Sequence, residues 1–374
     1  MSHGRHPDLR QPVEEHRFPC SACGSDLRYA PGTETLTCDH CGNVDHIEGA
    51  GPWEGAQAIA ELDFDAAVRG EVPPSAMEIT RVAQCNSCGA EVEFDPAIHS
   101  KECPFCASPL VTDTGAHRHI KPRALLPFGL KEEEARAAMG RWLGRLWFAP
   151  NGLQDYARKG RRLQGLYVPY WTYDAPTRSA YTGQRGDAYW TTQTRVVDGE
   201  RKQVRVQKIR WTRVRGQVSR AFDDVLVLAS QTLPKSYTDA LEPWDVSGLK
   251  PYLPDYLAGF RAEGYQVALA DGWTEARARI DTQIALDIRR DIGGDQQRID
   301  RVDTQVGKIT FKHVLLPIWM AAYKFRGQTY RFVVNGRTGE VKGERPYSTG
   351  KILVAVLLAL LGAAALLYLG SLQD

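Results

Sequence analysis

The 374-residue chain has no cysteine outside a C-x-x-C pair. It also lacks an apolar segment near its N-terminus: the first twenty residues, MSHGRHPDLRQPVEEHRFPC, are polar and do not form a secretory signal. Paired cysteines without an export signal indicate metal ligands in a reducing compartment rather than disulfides. Positively and negatively charged side chains are also nearly equal in number. The net charge of +2 argues against a protein that coats nucleic acid with its whole surface.

The signatures of common enzymes are also absent. The sequence contains no G-x-G-x-x-G, no H-E-x-x-H and no G-x-S-x-G. Gly307-Lys308 and Gly350-Lys351 are each followed by isoleucine and lack the earlier glycine of a P-loop. His117 and His119 fit a loop, and Asp223-Asp224 fits a turn or a sheet edge. We therefore predict no catalytic and no cofactor-binding residue, and an enzyme with a diffuse signature stays the third alternative.

The cysteines that are present form two modules of identical spacing, C-x2-C-x14-C-x2-C. The predicted ligands are Cys20, Cys23, Cys38 and Cys41 in the first module, and Cys85, Cys88, Cys103 and Cys106 in the second. Four thiolates at about 2.3 Å complete the tetrahedral shell of a structural zinc ion and leave no open position for catalysis. We predict two such Zn²⁺ ions. Disulfides and an iron–sulfur or redox site are the less favoured alternatives.

Residues around the cysteines fit this interpretation. Gly24, Gly42 and Gly89 each follow the second cysteine of a knuckle, where the backbone turns sharply and a Cβ would be unfavourable. Ala107 takes this place in the fourth knuckle. His40 and His46 are expected to lie outside the metal shells, because each site already has four sulfur ligands.

The sequence as a whole predicts an α+β fold. It consists of two small four-cysteine zinc ribbons, a β-rich α+β domain and one C-terminal transmembrane helix. The predicted divisions are a flexible tail at 1–17, ribbon 1 at 18–43, a linker with a short helix at 44–82, ribbon 2 at 83–110, the α+β domain at 118–348 and the transmembrane helix at 351–370.

Hydrophobic spacing and turn residues predict the elements within these divisions. The helices are expected at Gln57–Val68, at Lys131–Trp147 before Pro150-Asn151-Gly152, and at Thr274–Ile292. Sheet is expected over 163–230, with Asp198-Gly199 as a hairpin turn, and a last hairpin over 314–341. The 131–147 helix fits the core better than a membrane surface. Residues 166–171 and 315–319 are weakly similar, which indicates either a duplicated β module or two edge strands that share a proline.

An uncharged apolar run extends from Ile352 to Leu369. Eighteen residues of helix reach about 27 Å, close to the roughly 30 Å hydrocarbon core of a bilayer. Lys342, Arg345 and Lys351 precede the run and Asp374 follows it, so the positive-inside rule places the N-terminal bulk in the cytoplasm. We therefore expect a single-pass, tail-anchored protein of the cell inner or plasma membrane.

A basic stretch from Arg201 to Arg220 contains six arginines and two lysines and no acid. With Trp211 between them, these cations suit the phosphates of anionic lipid headgroups or of nucleic acid. A solvated strand edge that charges keep from aggregating explains the stretch equally well. These interpretations remain open at the level of sequence.

Several stretches resemble a family of bacterial zinc-ribbon membrane proteins. They are residues 121–128, 146–151, 165–174, 181–189, 316–319 and 334–341. Proteins of this kind often carry labels such as primosomal protein N′ (replication factor Y), superfamily II helicase, or TFIIB-type zinc ribbon protein. The ATPase residues of a helicase are missing here, so helicase activity is not carried over. Some relatives look like members of membrane-stress assemblies, and the resemblance therefore implies an adaptor.

Together these observations predict a membrane-tethered cytoplasmic zinc-ribbon adaptor or scaffold, without helicase or ATPase activity. Its expected partners are membrane-associated proteins and the lipid bilayer itself, through Ile352–Leu369. The alternative is a nucleic-acid-binding zinc-ribbon protein, related to replication or transcription and held at the membrane. Nucleic acid is the less favoured partner, because the ribbons themselves carry few basic residues.

Overall fold

The computed structural model describes residues 18–48, 59–85, 87–93, 103, 105, 106, 108, 116–146, 163–197, 200–325, 328–344 and 347–371. Three β-sheets and five α-helices form the described part. The predicted tail at 1–17, the stop at Pro150-Asn151-Gly152, Ala107, the turn residues Asp198-Gly199, Arg345 and Asp374 lie outside the described residues.

Two small sheets surround the cysteine modules. The first contains β1 (Leu27–Tyr29), β2 (Thr35–Cys38) and β3 (Val44–His46), all antiparallel and in the order β1-β2-β3. The second contains β5 (Met77–Gln84), β6 (Glu91–Glu93) and β7 (Ala116–Ile120), in the order β6-β5-β7. His117 and His119 therefore lie on strand β7 rather than in the predicted loop, because β7 pairs with the strand that leads into the second module.

The large sheet has ten strands, and its main path is β10-β9-β14-β15-β16. These strands are β9 (Gln164–Val197), β10 (Glu200–Leu228), β14 (Thr310–Phe325), β15 (Gln328–Asn335) and β16 (Val341–Gly343). Off this path lie β4 (Leu62–Asp63), β8 (Ala124–Leu125), β11 (Lys250–Pro251), β12 (Arg261–Ala262) and β13 (Gln296–Val306). The α+β fold with a β-rich domain is confirmed.

The predicted linker contributes to this sheet. Strand β4 pairs with the start of β14, and helix α1 (Phe64–Val68) follows it, capped by the side chain of Asp63, which accepts a hydrogen bond from the Ala66 N–H at 2.9 Å. The helix is shorter than the predicted Gln57–Val68, because Leu62 and Asp63 are extended and hydrogen-bonded to β14.

β9 and β10 form one continuous antiparallel hairpin, in which Glu200 pairs with Val197 and Leu228 with Tyr170. At about 3.3 Å per residue, a strand the length of β9 extends for roughly 110 Å. The sequence predicted sheet here but not one hairpin of this length. A bulge between Phe222 and Val225 is the irregularity in the β9–β10 register.

The two weakly similar segments pair with each other. Residues 166–171 of β9 lie antiparallel to residues 313–318 of β14, so that Leu166 is opposite Ile318 and Tyr167 is opposite Pro317. Both strands have further neighbours on their other sides. The interpretation as two edge strands is therefore wrong, and duplication remains a prediction.

The helices cover parts of the large sheet. Helix α2 (Glu132–Gly144) buries Ala135, Ala138, Met139 and Leu143, which confirms the prediction of a core helix. The single-turn α3 spans Lys235–Thr238. Helix α4 (Leu269–Ile292) buries Ile280, Ile284 and Ile288 at four-residue spacing and ends at Gly293, whose φ is 65°.

Helix α5 (Thr349–Ser371) contains the predicted membrane segment. Its apolar side chains are exposed as far as they are described, with Leu358 63% and Leu361 66% exposed. Within the described residues, the structure contains no helix that is both long enough and apolar enough to cross a membrane. The predicted transmembrane helix is therefore not confirmed.

Candidate metal centres

Each cysteine module brings its four sulfur atoms together. The first group is Cys20, Cys23, Cys38 and Cys41, and the second is Cys85, Cys88, Cys103 and Cys106; within each group the sulfur atoms lie within 4.8 Å of one another. The sequence predicted this set of eight, and neither His40 nor His46 joins it, both being exposed.

The sulfur–sulfur distances fit a tetrahedral metal ion. They are 3.7 Å for Cys20–Cys41 and 3.6 Å for Cys23–Cys38, and 3.6 Å for Cys85–Cys106 and 3.7 Å for Cys88–Cys103. A tetrahedron with metal–sulfur bonds of about 2.3 Å has edges of about 3.8 Å. A disulfide needs about 2.05 Å, so these distances exclude a bond between the paired sulfurs. All eight cysteines are free thiols.

The backbone of the knuckles holds the sulfurs in place. The N–H of Gly24 donates to the Cys20 carbonyl at 2.9 Å, and the N–H of Gly42 donates to the Cys38 carbonyl at 2.9 Å. Gly89 does the same with Cys85 at 2.8 Å. The φ angles of the three glycines lie between 74° and 75°, in the left-handed region that other residues avoid. The prediction from glycine spacing is confirmed at these knuckles.

The knuckles also stabilise thiolates. The backbone N–H and the side chain of Ser25 lower the pKa of Cys23 to about 6. A hydrogen bond from Cys103 lowers the pKa of Cys88 to about 5, and the same contact raises the pKa of Cys103. Both shifts favour the thiolate, which is the form that binds metal.

The first module is docked on the α+β domain. Tyr29 of β1 is 3% exposed; its N–H donates to the Ala258 carbonyl at 2.9 Å, and its hydroxyl oxygen lies 3.3 Å from the Phe128 carbonyl oxygen. Its ring meets the ring of Tyr256 edge-on at 5.1 Å. Cys20 and Cys38 belong to the same hydrophobic cluster as these aromatic residues. Cys23 and Cys41 remain exposed on the outer side.

The second module is docked more deeply. Cys85, Cys103 and Cys106 are buried, in one cluster with residues of β9 and β14. The Gln266 side-chain amide donates to the Gly89 carbonyl at 3.2 Å, and the Gly264 N–H donates to the Glu91 carbonyl at 3.1 Å. The sequence predicted two separate modules but gave no signal for this docking, because the contacts join residues more than 170 positions apart.

A third polar group lies where β4, β9, β10 and β14 meet. Oxygens of Glu61, Asp174 and Asp223 lie within 4.8 Å of one another. Lys312 lies among the acids, with its ammonium group 3.0 Å from Glu61 and 2.8 Å from Asp224. Asp224 is in the β10 bulge with a φ of 52°, so the Asp-Asp pair bends a strand rather than ending it.

The ionisation of the groups in this network is coupled. Burial raises the pKa of Asp174 to about 7, and a hydrogen bond from Asp174 lowers the pKa of Glu61. Burial by itself lowers the pKa of Lys312, but the hydrogen bond and charge of Asp224 outweigh it, so the lysine stays charged. We interpret the group as an ion-pair network that joins four strands around one buried cation.

The cysteine groups are therefore the centres with metal-binding geometry. Four thiolates leave no open coordination position, so a bound metal would hold the fold rather than carry out chemistry. The chain is 26% identical over 346 residues to the uncharacterized protein YdjG of Bacillus subtilis (strain 168), a match that covers 90% of this chain and 91% of that protein. No family model matches the chain. No solved structure matches it at a significant level.

Proposed function

We propose that the protein is a membrane-tethered cytoplasmic adaptor, whose two metal ions are structural Zn²⁺ and whose ribbons present surfaces to a protein partner. The closed four-cysteine shells carry this proposal. A metal ion in such a shell would hold the ribbon rigid and would have no open position for a substrate, which suits a module that positions a binding surface. Both ribbons are docked on one domain, so the domain displays them in a fixed relation to each other.

The helix α5 supports the tether. Leu353, Leu358, Leu360 and Leu361 are each more than 60% exposed. Soluble monomers rarely expose a contiguous apolar surface of this kind, which generally marks an interaction with a membrane or a partner. We propose that α5 inserts into the inner or plasma membrane and leaves the bulk of the chain in the cytoplasm, since Lys342 and Lys351 lie on the N-terminal side of the helix.

Membrane fractionation tests the tether. Deleting residues 352–374 should move the protein into the soluble fraction after alkaline carbonate extraction. Leu361→Arg should weaken insertion strongly, because one central arginine costs about 3 kcal/mol whereas each leucine contributes roughly half a kcal/mol. Leu361→Ala is the matched control and should stay in the membrane. If the truncated chain stays in the carbonate-washed pellet without aggregating, α5 is not the tether.

Affinity capture tests the adaptor. The full chain, solubilised in mild detergent, should recover membrane-associated proteins. Cys38→Ser, which removes one ligand of the first site, should lose the partners that this ribbon binds. A variant with Ser21→Ala keeps all four ligands and is the control. Recovery of the bait alone, in repeated captures, would contradict the adaptor proposal.

A further inference from the structure

The β9–β10 hairpin has one face that no helix covers among the described residues. Cross-strand partners in an antiparallel sheet share a face. Ala175 and Tyr181 are buried in one hydrophobic cluster with the isoleucines of α4. The even-numbered residues of β9, from Arg178 to Thr194, therefore point the other way, together with their partners on β10 and β13.

This open face is rich in arginine. The residues on it are Arg178, Arg201, Arg205, Arg213, Arg215, Arg298 and Arg301, all of them exposed. We call this surface the arginine face. Two acids also lie here: the strand register places Asp303 opposite Ala180, and Asp300 accepts a hydrogen bond from the Gln184 side chain at 3.4 Å. Lys208 and Arg210 lie on the opposite face of the same hairpin, because their partners Tyr189 and Asp187 are odd-numbered.

Two arginines of the opposite face have acidic partners. On the α4 side, Arg220 makes two hydrogen bonds to Asp287, at 2.7 and 2.8 Å, and Arg185 contacts Asp187 at 2.9 Å. Within the described residues, no salt bridge involves an arginine of the arginine face. The arginines of this face therefore have no acidic partner among the described residues, which leaves them available to an external anion.

Two tryptophans lie among these arginines. Trp190 is 58% exposed, and the Arg205 guanidinium lies 5.5 Å from the centre of its ring. The Arg298 guanidinium lies 3.9 Å from the Trp211 ring. Exposed indole rings can stack on unpaired bases, and guanidinium groups bind phosphates with planar, two-point geometry. Along the strip, the two tryptophans lie between Arg205 on one side and Arg213 with Arg298 on the other.

The shape of the strip fits a linear polyanion. Between the positions of Arg178 and Arg201 the face extends for about 60 Å, whereas two or three strands make it only about 10 Å wide. The turn of the hairpin lies at one end of β9, and Gln164 lies at the other end. Strand β14 pairs with the Gln164 end of β9, and the chain continues from β14 through β15 and β16 to α5.

We propose that the arginine face binds single-stranded nucleic acid, with the arginines on phosphates and Trp190 stacked on a base. This goes beyond the adaptor function and does not depend on it. An anionic membrane surface is the competing ligand, and the experiment below separates the two.

Fluorescence anisotropy tests the proposal on the full chain, kept in solution by a non-ionic amphipathic polymer. The probes are labelled oligothymidylate and oligouridylate, long enough to extend along the face. Arg205→Gln with Arg213→Gln should weaken binding and reduce the slope of log K against log salt by about 1.4. Lys208→Gln with Arg210→Gln removes the same charge from the same strand on the opposite face, and should change binding much less.

A second pair of variants tests stacking. Trp190→Ala should weaken binding about tenfold, a typical loss for one stacked base. Tyr189→Ala removes the neighbouring exposed aromatic residue from the opposite face and should have little effect. Equal losses from both faces, or an absence of binding at low salt, would overturn the proposal. So would displacement of the probe by phosphatidylserine vesicles that bind the wild type and fail to bind the arginine-face variant.

Discussion

At the scale of single residues, His313 shows what burial does to a titrating group. The side chain is 4% exposed, its Nδ1 lies 2.8 Å from the Ile120 carbonyl, and its Nε2 has no hydrogen-bond partner among the residues that the structure describes. Burial lowers its pKa from 6.5 to about 4. The folded protein thus holds this histidine neutral, whereas the unfolded chain protonates it below about pH 6.5.

The sign of the effect on stability follows from this difference. Between the two pKa values the unfolded chain binds more protons, so acid favours unfolding and stability falls as the pH drops from about 6.5 toward 4. His313→Gln has no imidazole to titrate. Its free energy of unfolding should therefore fall by roughly 3 kcal/mol less than that of the wild type across this pH window. Urea unfolding at a series of pH values measures the difference. Parallel pH profiles for the two proteins would contradict it.

Lys312 gives a second prediction at this scale. It is 6% exposed and lies among three carboxylates, so Lys312→Met leaves buried negative charge without a partner. Breaking a buried pair in this way costs about 3–5 kcal/mol. Lys308→Met removes a lysine that is 72% exposed, also paired with an acid, and should cost less than about 1 kcal/mol. Denaturant midpoints of the two variants decide whether the network stabilises the junction.

At the scale of elements, the two ribbons differ in access. Cys23 and Cys41 are exposed, whereas the second group is buried apart from the half-buried Cys88. A chelator should therefore remove metal from the first site before the second. Elemental analysis should give two zinc ions for the wild type and one for Cys38→Ser or Cys85→Ser, because the sites share no ligand. Simultaneous loss of both ions from either single variant would show that the sites are coupled.

The sequence predicted some elements well. The cysteine spacing indicated both ligand sets, and the isoleucine spacing indicated α4, which begins five residues earlier than the predicted Thr274. These patterns are local, so one segment contains the whole signal. The length of the β9–β10 hairpin, the pairing of β4 with β14 and the docking of the ribbons join distant segments. Such contacts leave no periodicity in the sequence.

At the scale of the whole molecule, the ribbons are part of the core. Cys20 and Cys38 lie in one hydrophobic cluster, and Cys85 and Cys103 lie in another that includes residues of β9 and β14. We therefore expect metal removal to lower the melting temperature of the large sheet as well as of the ribbons. Circular dichroism in the β region, with and without chelator, measures this. An unchanged sheet transition after complete metal loss would show that the ribbons are only appended.

The docking of β1 also bears on how the protein is made. Cys20 to Cys41 leave the ribosome before Tyr256 and Ala258, which contact Tyr29 in the folded protein and follow more than two hundred residues later. At about 5–20 residues per second, this interval is roughly 10–40 s. During this part of translation, the first ribbon has been synthesised but the surface on which it docks has not. Metal capture by the four cysteines in that interval would give the nascent chain a folded end before the large sheet exists.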